Sequence, residues 1–276
     1  MITQLLHQTR SDTLNRSKMS ELLTFHYECL QGMYFSEHIT RPDGDLLFSN
    51  QITDPYYNFF TPNSRISTET IDEVGREFRL RERSTALYIT PLAENESIDT
   101  TWTSWATDAW MLLDILNRSK ATPGANSPTI KLIDSSYRET YIDIFKRAYS
   151  GGDPNDPYGE LEPGYSLSLE MSFDYNLRGF RKYYLLAELS NEPVGVAALF
   201  TSGALAGVYG VGTLPEYRKA GVGTAIMHSI TELAHSEGVA RILLQTEAGS
   251  NVERWYQQLG YKTVFTADYM VSNPET

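Results

Sequence analysis

Apolar and polar positions change their period along this chain, and the changes mark its elements. KYYLLAEL and PVGVAALFTSG are nearly continuous apolar runs, as buried strands are, with only Ser190, Asn191 and Glu192 between them. That spacing predicts a hairpin. ALAGVYGVGT predicts a third strand, ARILLQTE a further one, and KTVFTADYMV a closing one. In VGTAIMHSITELAHSEG the period shifts: Val222, Ala225, Ile226, Ile230, Leu233 and Ala234 keep helical spacing, and Gly238 ends the run. NVERWYQQLGY predicts a short helix ended by Gly260. Ahead of all these, KLIDSSYRETYIDIFKRAYSG opens with a short apolar run. It continues as a helix with Tyr141, Ile144, Phe145 and Ala148 on one face, stopped by Gly151 and Gly152. Alternating strands and helices of this kind predict a mixed α/β domain.

The earlier part of the chain is patterned less regularly. Leu14 to Tyr34 and Ile71 to Arg81 predict helices; DLLFSN, STALYIT and DAWMLLDIL predict strands. The aromatic run DPYYNFFTPN suits either a pocket lining or a core, and core filling is the expectation. SKATPGANSPT is small, polar and proline-bearing, which is linker composition. It divides the chain into an N-terminal α/β domain at 1–118, a linker at 119–128 and a second domain at 129–276. SGGDPNDPYGELEPGY predicts a surface loop, with a lid as one use; its acids miss the spacing of a calcium loop.

Composition narrows the chemistry. The 276 residues are 41% hydrophobic and 21% charged, an ordinary globular balance. A formal net charge of -12 argues against nucleic-acid binding, which needs clustered Lys and Arg. It fits a cationic substrate, and it equally serves solubility alone. A lone cysteine, Cys29, excludes an internal disulfide and a cysteine-based zinc site. His228 and His235 share a helix but belong to no H-E-x-x-H pattern, so no metal is expected. No run reaches the ~18 apolar residues that span a bilayer, and no signal-peptide region opens the chain. A cytoplasmic location without a membrane partner is the expectation, so the Asn-x-Ser triplets at Asn15, Asn95 and Asn117 carry no weight as glycosylation sites.

The segment VGTLPEYRKAGVGTAIM, from Val211 to Met227, concentrates unusual chemistry. Arg218 and Lys219 bring positive charge. Gly221 and Gly223 lack a Cβ, so a ligand can approach the main chain. The helix beginning near Val222 leaves its first N–H groups unpaired and adds a partial positive charge. Together these suit a diphosphate, with Thr224 as a further donor. A P-loop is excluded because the chain has no Gly-Lys pair; a G-x-G-x-x-G fingerprint fails because Pro215 stands at its third glycine. The pattern [RQ]-x-x-G-x-[GA] after a strand is filled by Arg218, Gly221 and Gly223.

T-L-P-E-Y-R-K-A-G-V-G, with a strand before it and an amphipathic helix after it, resembles the acetyl-CoA-binding motif of the GCN5-related N-acetyltransferases (GNAT). W-Y-Q-Q-L-G-Y, Trp255 to Tyr261, resembles the aromatic ending of the same fold. The resemblance covers about Thr129 to Val271. It implies a mixed, mostly antiparallel sheet flanked by helices. The preceding α/β domain is then either a degenerate copy of that fold or an unrelated packing domain.

The resemblance further implies an acetyl-CoA-dependent N-acetyltransferase acting by direct transfer. A non-catalytic acyl-CoA-binding sensor or interaction protein, or transfer of a longer acyl group, are the alternatives. The strand before the turn is expected to splay from the next one, with Val211 and Thr213 pairing with the pantetheine arm. Gly207, Gly210 and Gly212 would permit close approach or mark a bulge. Cofactor contacts are expected from Val211, Thr213, Arg218, Lys219, Ala220, Gly221, Val222, Gly223, Thr224, Asn251 and Tyr256. Val211 N–H would stabilise the oxyanion and Tyr256 would protonate the leaving thiolate. The strand glutamate that often serves as base in relatives is absent; Glu247 and Glu188, at strand ends, are the substitutes considered. The acceptor is a small-molecule amine or a protein N-terminal or lysine amine, and the chain a monomer or homodimer.

Overall fold

Asn15 accepts a hydrogen bond from the Lys18 N–H and so starts α1 (Arg16–Leu30), which buries Met19, Leu22, Leu23, His26, Tyr27 and Leu30 at helical spacing. The structure, a computed structural model, describes residues 14–93, 101–115, 128–149 and 161–272. In the first half α1 is followed by β1 (Glu37–Arg41), β2 (Gly44–Phe48), β3 (Phe59–Pro62), α2 (Thr68–Leu80), β4 (Ala86–Ile89) and β5 (Trp102–Asp114). The second half holds β6 (Thr129–Ile133), α3 (Arg138–Ala148), α4 (Pro163–Asp174), β7 (Arg181–Leu189), β8 (Glu192–Ser202) and β9 (Leu205–Thr213). It continues with α5 (Val222–Ser236), β10 (Arg241–Glu247), α6 (Asn251–Gln258) and β11 (Lys262–Ser272).

The hairpin between β7 and β8 is tighter than its sequence spacing implied. Ser190 and Asn191 alone make the turn, at φ 53° and 66°, because two left-handed residues match the twist of the flanking strands. Glu192 already pairs with Leu189 inside the sheet. α4 is an addition to the expected elements: the end of the loop expected at Ser150–Tyr165 is its first turn, led by Pro163. The remainder of that loop (150–160) and the linker at 119–127 lie outside the described residues. β5 also starts earlier than DAWMLLDIL suggests, at Trp102. The run DPYYNFFTPN does fill core: it supplies β3, where Phe59 and Phe60 are fully buried.

Among the described residues 11 strands form one sheet, in the order β1-β2-β3-β4-β11-β5-β10-β9-β8-β7-β6. The two halves read as mirror-ordered copies. Each has an antiparallel meander (β1-β2-β3; β7-β8-β9), a helix, and then a strand parallel to the last of the three (β3 with β4; β9 with β10). Their final strands are exchanged. β5 pairs with β10 of the second half, β11 pairs with β4 of the first, and β5 and β11 pair with each other at the centre. The sheet therefore runs unbroken across both halves.

Alternation along the strands sorts side chains to two faces. Trp110 and Leu112 of β5 join α1, α3 and α4 in one core; Ala109, Met111 and Leu113 join α5 and α6 in the other. Among the described residues no helix is long and apolar enough to cross a membrane.

Candidate active site between β9 and β10

β9 and β10 lie side by side near the middle of the sheet but pair only over Leu205–Gly207 with Arg241–Leu243. Beyond that they part. Tyr209, Gly210, Val211 and Thr213 on one strand and Gln245 and Glu247 on the other are half-exposed, although both strands are flanked on their far sides. An opening in mid-sheet accounts for that exposure. Next to it β9 carries a bulge: the register passes from Ala198↔Tyr209 to Val196↔Gly212, so Gly210 and Val211 stand opposite Ala197. Gly210 sits at φ 59°, which glycine alone adopts without strain there. The space above the strand glycines is filled by the protein itself. A Cβ on Gly212 would lie 2.9 Å from the Ala148 Cβ, and one on Gly207 2.5 Å from the Tyr209 hydroxyl. These two glycines admit α3 and Tyr209 against the strand.

The chain leaves β9 with Leu214 N–H bonded to the Val194 carbonyl and makes a single 3-10 turn over Pro215–Tyr217. It then enters α5 through Lys219 at φ 63° and Gly221 at φ 81°. Gly221 is the N-cap and has no side chain to offer, and among the described residues no side-chain cap bond closes α5. A Cβ on Gly221 would meet nothing within 4 Å, so the approach to the helix start is open. Val222 turns its side chain into the core at 1% exposure, Lys219 and Ala220 are exposed, and Gly223 and Thr224 are half-exposed. Gly223 lies under Trp255, whose ring would stand 3.2 Å from an added Cβ. What the turn presents is main-chain N–H at the positive end of a helix dipole, the arrangement that holds phosphate groups. The equivalent helix of the first half, α2, has its start closed by the Ser67 hydroxyl, which accepts from the Thr70 N–H at 3.1 Å.

Arg218 is engaged from behind. Its Nη2 donates to the Ala148 carbonyl at 2.9 Å and its Nε to the Thr213 carbonyl at 3.4 Å. The guanidinium thus ties the turn to the last residue of α3. The Val211 carbonyl accepts from the Tyr149 hydroxyl at 2.9 Å. Both carbonyls are met by side chains, that of Val211 by Tyr149 and that of Thr213 by Arg218.

Across the gap, continuing the Leu243↔Gly207 register brings Gln245 level with Tyr209 and Glu247 level with Val211. Glu247 also pairs with Asp108 of β5, a first-half residue delivered by the strand exchange. Asp108 is 5% exposed. Burial pushes its carboxyl up to about 7; Glu247 adds to the rise, and the hydroxyls of Tyr88 and Tyr269 oppose it. Tyr88 donates to Asp108 Oδ2 at 3.1 Å and accepts from Trp110 Nε1 at 2.5 Å and from Gln245 Nε2 at 3.2 Å. On the β9 side, the Tyr209 hydroxyl lies 3.2 Å from His26 Nδ1, and the His26 ring meets the edge of Trp110. Burial pushes the His26 imidazole down to about 3, so it is neutral.

The remaining expected residues lie on α6 and β7. Tyr256 lies on α6 at 6% exposure, 4.6 Å from the Trp255 ring and 5.6 Å from Tyr261 between centroids. Asn251 is exposed, its Oδ1 accepting from Arg254, while Ser250 caps α6. Glu188 lies on β7, with β8 between it and β9, and holds Lys131 at 2.7 Å; it is not brought to the gap. Among the described residues no group of His, Cys, Asp and Glu could hold a metal ion. Sequence reasoning missed His26, Asp108, Tyr149 and Gln245. They belong to no motif, and their common location depends on strand pairing distant in sequence. The one available signal was Tyr209 itself, on the strand where the family resemblance led to the expectation of a glutamate.

Residues 139–261 match the family model for the acetyltransferase (GNAT) family. No protein of curated function matches the chain. Among solved structures, a GCN5-related N-acetyltransferase from Kribbella flavida is similar over 91% of this chain and 95% of its own, at 16% identity and TM-score 0.64. A functionally unknown conserved protein from Staphylococcus epidermidis ATCC 12228 is similar over 87% and 94%, at 14% identity and TM-score 0.61. A GCN5-related N-acetyltransferase from Sphaerobacter thermophilus is similar over 85% and 82%, at 13% identity and TM-score 0.55. At such identities the likeness is one of fold, and it extends over both halves of the chain. With the parted strands and the open helix start inside the matched segment, residues 139–261 are a domain of the acetyltransferase (GNAT) family.

Proposed function

We propose that the chain is an acetyl-CoA-dependent N-acetyltransferase, moving an acetyl group directly to a primary amine of a small molecule or a protein. The observation that carries this reading is the parting of β9 from β10 directly before an α5 whose N-cap, Gly221, has no side chain to close the helix start. The N–H groups at 221–224 hold the diphosphate, Lys219 adds charge, and Arg218 braces the turn from behind. The pantetheine arm lies in the gap against Val211 and Thr213. The amine nitrogen attacks the thioester carbon; a C–N bond forms, the C–S bond breaks, and the nitrogen loses a proton. Negative charge on the carbonyl oxygen faces the Val211 N–H; one such donor commonly lowers a barrier by ~3 kcal/mol. Tyr256 protonates the thiolate, and Glu247, level with Val211, takes the amine proton directly or through water. Asn251, Val222 and Ala220 contribute position and not charge.

Purified protein incubated with acetyl-CoA and a panel of primary amines, read by free thiol release, tests this. Amine-dependent thiol release is expected. Coenzyme A binding without release under any amine would instead identify an acyl-CoA-binding sensor, and no binding at all would end the reading. The reaction needs no membrane or nucleic-acid partner, and a cytoplasmic location and a monomer or homodimer fit it.

A further inference from the structure

The geometry points to Gln245 as the residue that orients the acceptor nitrogen, through its side-chain carbonyl Oε1. This rests on the acyl-transfer reading of the gap. Gln245 lies on β10 beyond the last residue that pairs with β9, and opposite Trp110 on β5, so its side chain shares the Trp110 face. Its Nε2 donates to the Tyr88 oxygen, and Trp110 Nε1 donates to that same oxygen. A phenol oxygen has room for two such donors and one proton of its own to give, and Tyr88 gives that proton to Asp108 Oδ2. With Asp108 ionised and able only to accept, the chain of bonds has a single direction, and flipping the Gln245 amide would set Oε1 against an oxygen with no proton to spare. Oε1 is therefore the end that remains for a ligand.

Access supports the same assignment. Trp110 and Tyr88 are completely buried, yet Gln245 is half-exposed, so the opening reaches it from the β9 side. Across that opening stands Tyr209, whose hydroxyl is held by His26, and two residues on stands Val211, the expected oxyanion donor. A nitrogen attacking a thioester carbon near Val211 carries N–H groups that need an acceptor. A neutral amide oxygen suits this position. It aligns a neutral amine, whereas a carboxylate there would favour the unreactive ammonium form.

Two coenzyme A thioethers test the assignment without knowledge of the natural acceptor. One carries –CH2–C(O)–NH–CH3 on sulfur and the other –CH2–C(O)–O–CH3. They differ at the atom that stands for the acceptor, N–H in one and O in the other. With the full chain, calorimetry is expected to show the amide binding about tenfold tighter than the ester. In Gln245→Met that ratio is expected to fall to about one while free coenzyme A binds as before. Tyr88→Phe, which releases the amide to flip, is expected to lower the ratio part way. If Gln245→Met does not fold, the Tyr88→Phe ratio decides. Equal binding of both thioethers to the unaltered chain overturns the inference, as does a ratio that survives the substitutions. Failure of coenzyme A itself to bind overturns the acyl-transfer reading, and the inference with it.

Discussion

The Tyr149 hydroxyl donates to the Val211 carbonyl at 2.9 Å, so a side chain from the end of α3 holds main chain at the edge of the gap. A pantetheine amide pairing with that carbonyl has to share it or displace the phenol. Tyr149→Phe removes the competitor without removing the ring. Coenzyme A is expected to bind about two- to fivefold tighter to the variant, the equivalent of a fraction of one hydrogen bond. Calorimetry reads it, and weaker binding would contradict the placement of the arm.

Arg218 ties the turn before α5 to the last residue of α3 through the Ala148 carbonyl. A guanidinium there also meets the negative end of the α3 dipole. Arg218→Ala is expected to lower stability by about 1–2 kcal/mol in urea unfolding and to weaken coenzyme A binding in parallel. Arg218→Lys keeps the charge but not the planar fork, and only partial recovery is expected. Unchanged stability with weakened binding would mean that the guanidinium contacts the ligand instead.

Tyr256 is buried among Trp255 and Tyr261 at the base of α6. If it returns the proton to the leaving sulfur, Tyr256→Phe should lower turnover at least ~10-fold and leave coenzyme A affinity within about twofold. Steady-state thiol release and calorimetry on the same preparation separate the two effects. Full turnover in the variant would reduce Tyr256 to a packing residue.

Asp108 has a pH signature of its own. Burial raises its carboxyl to about 7 in the folded chain, against about 4 in an unfolded one. The fold thus favours the protonated form. Its contribution is fully present below about pH 4 and is lost as pH rises through about 7. Asp108→Asn stays neutral throughout. Relative to the unaltered chain, its melting temperature should be higher at pH 8 than at pH 5. A difference independent of pH would show that the carboxyl titrates as an ordinary one.

Much of the second half was legible one element at a time. β7, β8, β9, α5, β10, α6 and β11 follow the apolar periods and their glycine stops, because burial of one face forces those periods. The glycine turn before α5 was legible as well. Positive φ at Gly221 and an uncapped helix start are local properties of a few neighbouring residues. α4 was hidden, because its exposed Leu167 and Met171 blur the apolar face that would announce a helix.

The amino-acid sequence by itself determined the elements of the second half and the glycine turn before α5, since both depend on neighbours within one or two turns of chain. Only the tertiary structure decided that β5 crosses into the second half, bringing Asp108 beside Glu247 and Trp110 beside Gln245. It also decided that Arg218 faces Ala148 and that α1 lays His26 against Tyr209. Periodicity states which face of a strand is buried, but not which strand lies beside it. That choice is made by the packing of the whole sheet.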